Sequence, residues 1–246
     1  ANLEYRGYDS AGIAVISPSG EPLVHKSSGK LSRLQAALGD GLPEGTIGIG
    51  HTRWATHGGP TDFNAHPHMD CNGEVMVVHN GIVENYLELK RELADQGHAF
   101  TSQTDAECIP HLIESYLMQE YSLEEAAKET AGRLRGANAV VVISNREPDK
   151  MVAFRLGNAG GIVVGYGEGE MLLASDLPAL LAHTQQVAYL NGGEIATVCR
   201  DQVRYMLRNG APVEKTVSQV PYGALSAAKG EYKHYMLKEI NEQPEA

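Results

Sequence analysis

A chain of 246 residues, 42% of them hydrophobic, can bury one sizeable core or a core with a smaller appendage. Its formal charge of −11 and isoelectric point near 5.3 argue against a general binder of nucleic-acid backbones, though a local anion site stays open. No apolar run is long enough to span a bilayer, no basic and apolar leader opens the chain, and Cys71, Cys108 and Cys199 form no C-x-x-C pair, so a soluble protein of a reducing, cytoplasmic compartment is expected.

In chain order, residues 11–29 read as two strands around a Ser-Pro-Ser-Gly turn. Leu31, Leu34 and Leu38 then recur at helical spacing, and Gly39 stops the helix. Short strands are expected at "TIGIGHT" and "EVMVVHN". A helix follows with Val83, Tyr86, Leu87 and Leu93 on one side and Gly97 at its end. The next helix runs from Ile109 to Leu117, with Pro110 tolerable only in its first turns. Ser122 and Glu125 form a capping box that starts another.

From residue 138 strands dominate: "NAVVVIS", "KMVAFR", "GIVVGYG" and "EMLLAS", a short helix at "LPALLAHT", then two segments that each carry an Asn-Gly hairpin signal. Such short connections favour antiparallel pairing, so α+β is expected rather than a doubly wound parallel sheet. The division expected is a domain over 1–217 and a linker over 218–246 ending in a helix that needs a partner.

The chemistry concentrates in "HTRWATHGGP" and "VVHNGIVEN". His51, His57, His66, His68 and His79 fall close together, yet no carboxylate cluster or cysteine pair accompanies them, so packed, hydrogen-bonded histidines are preferred to a metal centre, and no metal or cofactor is expected. Cys108 and Cys199 read as filler, Cys71 as exposed beside a turn, and no base is placed near any of them. Asn80 and Gly81 sit at a strand-to-helix corner, suited either to stabilising an oxyanion or to plain capping. Arg53 offers a planar fork for a carboxylate or a surface ion pair. Asp105 could meet an ammonium or favour a helix dipole.

Taken together, "EYRGYDSAGIAV", "GIGHTRWATHG", "NAHPH", "VVHNGIVEN", "SQTDAE", "ASDLPALL", "YLNGGE" and "HYMLKEINEQP" resemble, in order and spacing, the glutaminase half of the glucosamine-6-phosphate synthases, the isomerising glutamine–fructose-6-phosphate aminotransferases. The resemblance implies an N-terminal-nucleophile hydrolase fold, a four-layer αββα sandwich of two antiparallel sheets. It implies a cysteine thiolate that attacks the side-chain amide of glutamine, with ammonia passed to a sugar-phosphate isomerase domain of the same parent chain and oligomerisation through that domain. Carried over by motif, Arg53 would clamp the α-carboxylate, Asp105 the α-ammonium, Trp54, Thr56 and His57 would line or close the pocket, Asn80 and Gly81 would form the oxyanion hole, and Arg6 and Gly7 would position the nucleophile. The family's opening Cys-Gly-Ile-Val-Gly strand and its isomerase domain have no counterpart here, so the expectation is an inactive piece with its first strand missing. The rival expectations are a noncatalytic glutamine-binding sensor or scaffold and, third, a histidine-cluster metal protein.

Overall fold

The computed structural model describes residues 3–39, 41, 43–220 and 241. Alternation along the strands sets its layers. One sheet has seven antiparallel strands in the order β13-β12-β11-β7-β6-β5-β4. These are β4 (His68–Met69), β5 (Val75–Gly81), β6 (Asn138–Ser144), β7 (Lys150–Leu156), β11 (Glu194–Cys199), β12 (Val203–Leu207) and β13 (Pro212–Val213). Because side chains alternate across a strand, Val75, Val77, Val140, Val142, Val152 and Phe154 share one face. Against it pack α2 (Tyr86–Asp95), α3 (Cys108–Leu117) and α4 (Leu123–Arg133), through Leu89, Leu93, Ile109, Leu112, Ile113 and Ala127 among others. Both halves of the Ser122–Glu125 capping box form at the start of α4.

The opposite face carries Met76 and Ile143 at one end and Ala139, Ala153, Ala196 and Val198 at the other. Two smaller antiparallel sheets cover it. Ala14, Ile16 and Ile49 close the first end from the sheet β2-β1-β3, made of β1 (Ser10–Ile16), β2 (Pro22–Ser28) and β3 (Ile47–Arg53). Val164, Ala188 and Leu190 close the second from or beside the sheet β14-β10-β8-β9, made of β8 (Val163–Tyr166), β9 (Met171–Ala174), β10 (Gln186–Tyr189) and β14 (Ser218–Gln219). On the outside, α1 (Leu31–Leu38) lies on β1 and β2, and a 3-10 turn, Leu177–Ala179, leads Leu180 into a cluster with Val163 and Val187. The architecture is therefore the α+β, helix–sheet–sheet–helix sandwich, with its second sheet layer in two parts. Gly12 is needed where that layer meets the first: a Cβ there would stand 2.2 Å from the carbonyl oxygen of His66.

Several local expectations are revised. Asn80 and Gly81 belong to β5 rather than opening a helix, and the next helix starts only at Tyr86. Leu87 faces solvent, and the buried stripe of α2 is Leu89 and Leu93, because the first turn is rotated from the assumed phase. Asn191-Gly192 does not close a hairpin: it carries the chain from β10 in one sheet to β11 in another. Asn209-Gly210 does close one, between β12 and β13. Ser218 and Gln219, assigned to the linker, pair with β10, and the tail helix expected beyond lies outside the described residues save Asn241.

Candidate active site

Strand parity delivers polar groups to the seam between the sheet layers. Along β3, Ile47 and Ile49 point inward, so His51 and Arg53 follow them onto the same face. Along β5, Met76 and Val78 point to that seam, and Asn80 follows. The inward rows of both strands thus change from apolar to polar at one end, and there a cavity of about 490 Å³ opens. Arg6, Arg53, Trp54, Thr56, Asn80, Gly81 and Asp105 all line it. So do Gly50 to Trp54 on one side and Leu173 to Ser175 on the other, which makes it a gap between β3 and β9, the edge strands of the two smaller sheets.

Asn80 is held by His51, whose Nε2 donates to Asn80 Oδ1 at 3.0 Å. With the amide oxygen fixed there, its NH2 is the end left for a ligand. Gly81 has φ +131°, and a Cβ would collide with the Ala137 carbonyl oxygen at 2.1 Å, so no other residue fits that corner. Asp105 is buried, at 4% exposure, and its Oδ2 accepts from the Val83 backbone N–H at 2.7 Å. Its Oδ1 lies 3.8 Å from His57 Nδ1.

Arg53 is 5% exposed, and its fork is engaged with the loop that follows it. Nη1 donates to Gly59 O (3.2 Å), and Nη2 to His57 O (2.5 Å) and Gly58 O (3.2 Å). Asn64 pins the same loop, donating to Gly59 O at 2.9 Å and to Gln103 Oε1 at 3.2 Å. Asp9 accepts from the Ala55 backbone N–H at the other end. Trp54 stands 63% exposed, its ring 5.6 Å from that of Tyr8. Arg6 Nη1 donates to Ser175 O at 3.1 Å and lies 3.4 Å from Asp176, joining the short 3-10 turn Glu4–Arg6 to the β9 side of the gap. Gly7 packs on the backbone of β3, 2.5 Å separating a hypothetical Cβ from Thr52 O.

The clustered histidines form a floor. His51 stacks on His66 with ring centroids 4.4 Å apart, His66 meets His68 edge-on at 4.5 Å, and His79 Nε2 donates to Asn138 Oδ1 at 2.9 Å. Burial lowers all four: His51 to about 4, His68 to about 3, and His66 and His79 in the same direction. At neutral pH the floor is uncharged, so Arg53 and Asp105 supply the opposite charges at the cavity. His51 Nδ1 and His66 Nδ1 are buried without a hydrogen-bond partner, polar atoms a ligand or water would satisfy.

Sequence reasoning singled out Arg53, Trp54, Thr56, Asn80, Gly81 and Asp105, which the fold brings together, with His57 beside Asp105. It missed Asp9, Asn64 and Gln103, which hold the loop, because Asp9–Ala55 and Asn64–Gln103 join segments tens of residues apart and the nearer Asn64–Gly59 bond ends on a backbone carbonyl that leaves no side-chain pattern. None of the three cysteines lines the cavity.

Residues 12–236 match the glutamine amidotransferase domain family. Over 244 residues, 99% of this chain, the sequence is 50% identical to the isomerising glutamine–fructose-6-phosphate aminotransferase of Methanothermobacter thermautotrophicus. It is 51% identical over 245 residues to that of Symbiobacterium thermophilum. The chain spans only about 40% of the length of these curated relatives. Among solved structures, glutamine phosphoribosylpyrophosphate amidotransferase from B. subtilis superposes with a TM-score of 0.70 at 25% identity, covering 84% of this chain and 44% of its own. An allosteric regulatory enzyme of purine biosynthesis does so at 0.71, again at 25% identity and with the same coverage. The chain belongs to the glutamine amidotransferase domain family.

Proposed function

We propose that this chain is the glutamine-hydrolysing half of an enzyme that makes glucosamine 6-phosphate and glutamate from fructose 6-phosphate and glutamine, and that it passes ammonia to a sugar-phosphate isomerase domain. The relatives named glutamine–fructose-6-phosphate aminotransferases support the substrate assignment. The observation that carries the reading is the convergence of Arg53, Asp105 and Asn80 on one cavity.

In this reading Arg53 takes the α-carboxylate of glutamine and Asp105 its α-ammonium, which selects a free amino acid by both ends. Because Arg53 now holds the carbonyls of His57, Gly58 and Gly59, substrate entry and movement of the 54–60 loop are one event. Trp54, Thr56 and His57 travel with that loop. A thiolate then adds to the side-chain carbonyl carbon, and the oxyanion is met by Asn80 Nδ2 and the Gly81 N–H. The nucleophile's own α-amine, having taken the thiol proton, returns it to the departing nitrogen, so that collapse expels ammonia and leaves a thioester, which water hydrolyses to glutamate. The thiol belongs on an extended segment between the edges of β3 and β9, with Arg6 and Gly7 beside it.

Since Cys71, Cys108 and Cys199 all lie away from the cavity, these 246 residues alone are proposed not to hydrolyse glutamine. Glutamate release by the purified chain should equal that of a boiled control, while the same chain extended upstream by a cysteine-initiated strand should turn over. Hydrolysis by the unextended chain would refute the inactivity. Calorimetry with glutamine separates the alternative, a noncatalytic sensor: micromolar binding without the extra strand favours it. In the extended chain, loss of glutamine affinity in Arg53→Ala but not in an exposed control such as Arg208→Ala is the expected mark of the clamp.

A further inference from the structure

Cys71, exposed and without an expected partner in the sequence, turns out to have company. It sits on the turn between β4 and β5, beside His98 from the loop after α2 and beside His111 and Glu114 on α3. One ligand atom from each lies within 4.8 Å of all the others. Sγ of Cys71 is 3.5 Å from His111 Nδ1 and 3.7 Å from His98 Nδ1, and Glu114 Oε2 is 3.3 Å and 2.7 Å from the same two nitrogens. We propose that these four side chains bind one zinc ion as a closed, structural site.

The distances support a metal as the shared centre. Zinc bonds of about 2.3 Å to sulfur and about 2.0–2.1 Å to nitrogen and oxygen give tetrahedral edges of roughly 3.6 Å for S–N and roughly 3.3 Å for N–O. Three of the four measured edges agree with these values, and the fourth, to His98, opens by about half an ångström with a small turn of a loop-borne ring. Donor chemistry agrees as well: a thiolate, a carboxylate and two neutral imidazoles cancel the charge of a divalent cation, which lets it sit among buried groups.

A second, independent feature is the orphaned far side of His111. Its Nε2 is buried with no hydrogen-bond partner and faces Glu107 Oε1 at 3.9 Å. In a metal-free network His111 Nδ1–H donates to Glu114 and leaves a bare Nε2 lone pair against a carboxylate. With zinc on Nδ1 the proton must reside on Nε2, pointing at Glu107, the carboxylate–histidine–metal arrangement that orients such ligands. Glu107 is fixed for that task by the backbone N–H and hydroxyl groups of Thr101 and Ser102, at 2.7–2.8 Å. Glu114 is likewise braced through Oε1 by Asn72 Nδ2 at 3.0 Å. Four protein ligands leave no open position, so the ion staples the β4–β5 turn, the loop after α2 and α3 together, outside the glutamine cavity.

The test uses the full chain, stripped with a chelator and titrated with zinc or cobalt(II). Elemental analysis should return one zinc per chain. Cobalt should give a thiolate charge-transfer band in the near ultraviolet together with the intense visible bands of four-coordinate geometry. Zinc should raise the melting temperature. Cys71 is exposed and His98 lies on a loop outside the helices and strands, and Cys71→Ser and His98→Ala should each abolish the melting shift, with Cys71→Ser also removing the charge-transfer band. Sub-stoichiometric zinc, weak six-coordinate cobalt bands, or undiminished binding in Cys71→Ser would each overturn the site. None of these readouts depends on glutamine, so the site can fail while the amidotransferase reading stands.

Discussion

The two faces of the seven-stranded sheet obey the same alternation and yet serve opposite purposes. The helix-covered face is closed by α2, α3 and α4 over an apolar patch of Val75, Val77, Val140, Val142, Val152 and Phe154, and it turns polar at the cavity end with His79 and Asn138. On the other face Met76 and Ile143, met across the seam by Ile49 of β3, give way to Asn80, met by His51 and Arg53 of β3, within one or two strand repeats. Period-2 patterning places side chains without regard to their chemistry, so a few polar substitutions at the end of inward rows convert a core into a site. The first face should respond to lost volume and the second to lost charge or lost donors.

The largest expected effect tests the first face. Phe154 is fully buried among the valines of β5 and β6, and Phe154→Ala should cost about 3–5 kcal/mol in denaturant unfolding. A loss under about 1 kcal/mol would mean that the helix layer is not the principal core. The opposite face should behave differently: in a version carrying the thiol-bearing strand, Asn80→Ala should lower kcat by about two to three orders of magnitude with a far smaller change in unfolding free energy. An unchanged kcat would remove Asn80 from the oxyanion role.

This contrast also explains what could be read from the sequence. Alternating valines, Leu31-Leu34-Leu38, the Ser122–Glu125 box and the Ser-Pro-Ser-Gly hairpin are local patterns, and each forms as expected. Asn191-Gly192 misled because a tight turn constrains only its own backbone and says nothing about which sheet receives the next strand. At the site, Arg53, Asp105 and Asn80 were legible through the resemblance and through side chains that a core would not choose. Arg53's grip on its own loop was not, because three carbonyls have no sequence signature. Nor was the gathering of Cys71, His98, His111 and Glu114, whose members come from a turn, a loop and a helix.

Acid should act on the histidines at the cavity end before it reaches the apolar core. Burial penalises the charged forms of the four floor histidines and lowers their ionisation from the usual 6.5, His51 to about 4, His68 to about 3, and His66 and His79 in the same direction. Below pH 6.5 the unfolded chain therefore binds protons that the folded chain refuses. Stability must fall as pH drops from 6.5 toward those lower values, by up to about 1.4 kcal/mol per pH unit for each such histidine. Between pH 6.5 and 5 ordinary carboxylates scarcely titrate, so the fall in that window reports on histidines. A flat urea midpoint across it would show that the floor opens to water.

The smallest effect belongs to a feature that touches neither face. Ser122 caps α4 from solvent, its Oγ accepting from the Glu125 backbone N–H at 3.3 Å while Glu125 Oε2 accepts from the Ser122 backbone N–H at 2.9 Å. Ser122→Ala should cost about 1 kcal/mol and Ser122→Gly only a few tenths, because glycine leaves the helix end open to water while keeping the extended backbone the cap requires. Glutamine binding should not change in either variant, since α4 contacts the sheet on the side away from the cavity. A change in glutamine affinity would show that the two faces are mechanically linked through β6 and β7, and the division of labour between them would have to be withdrawn.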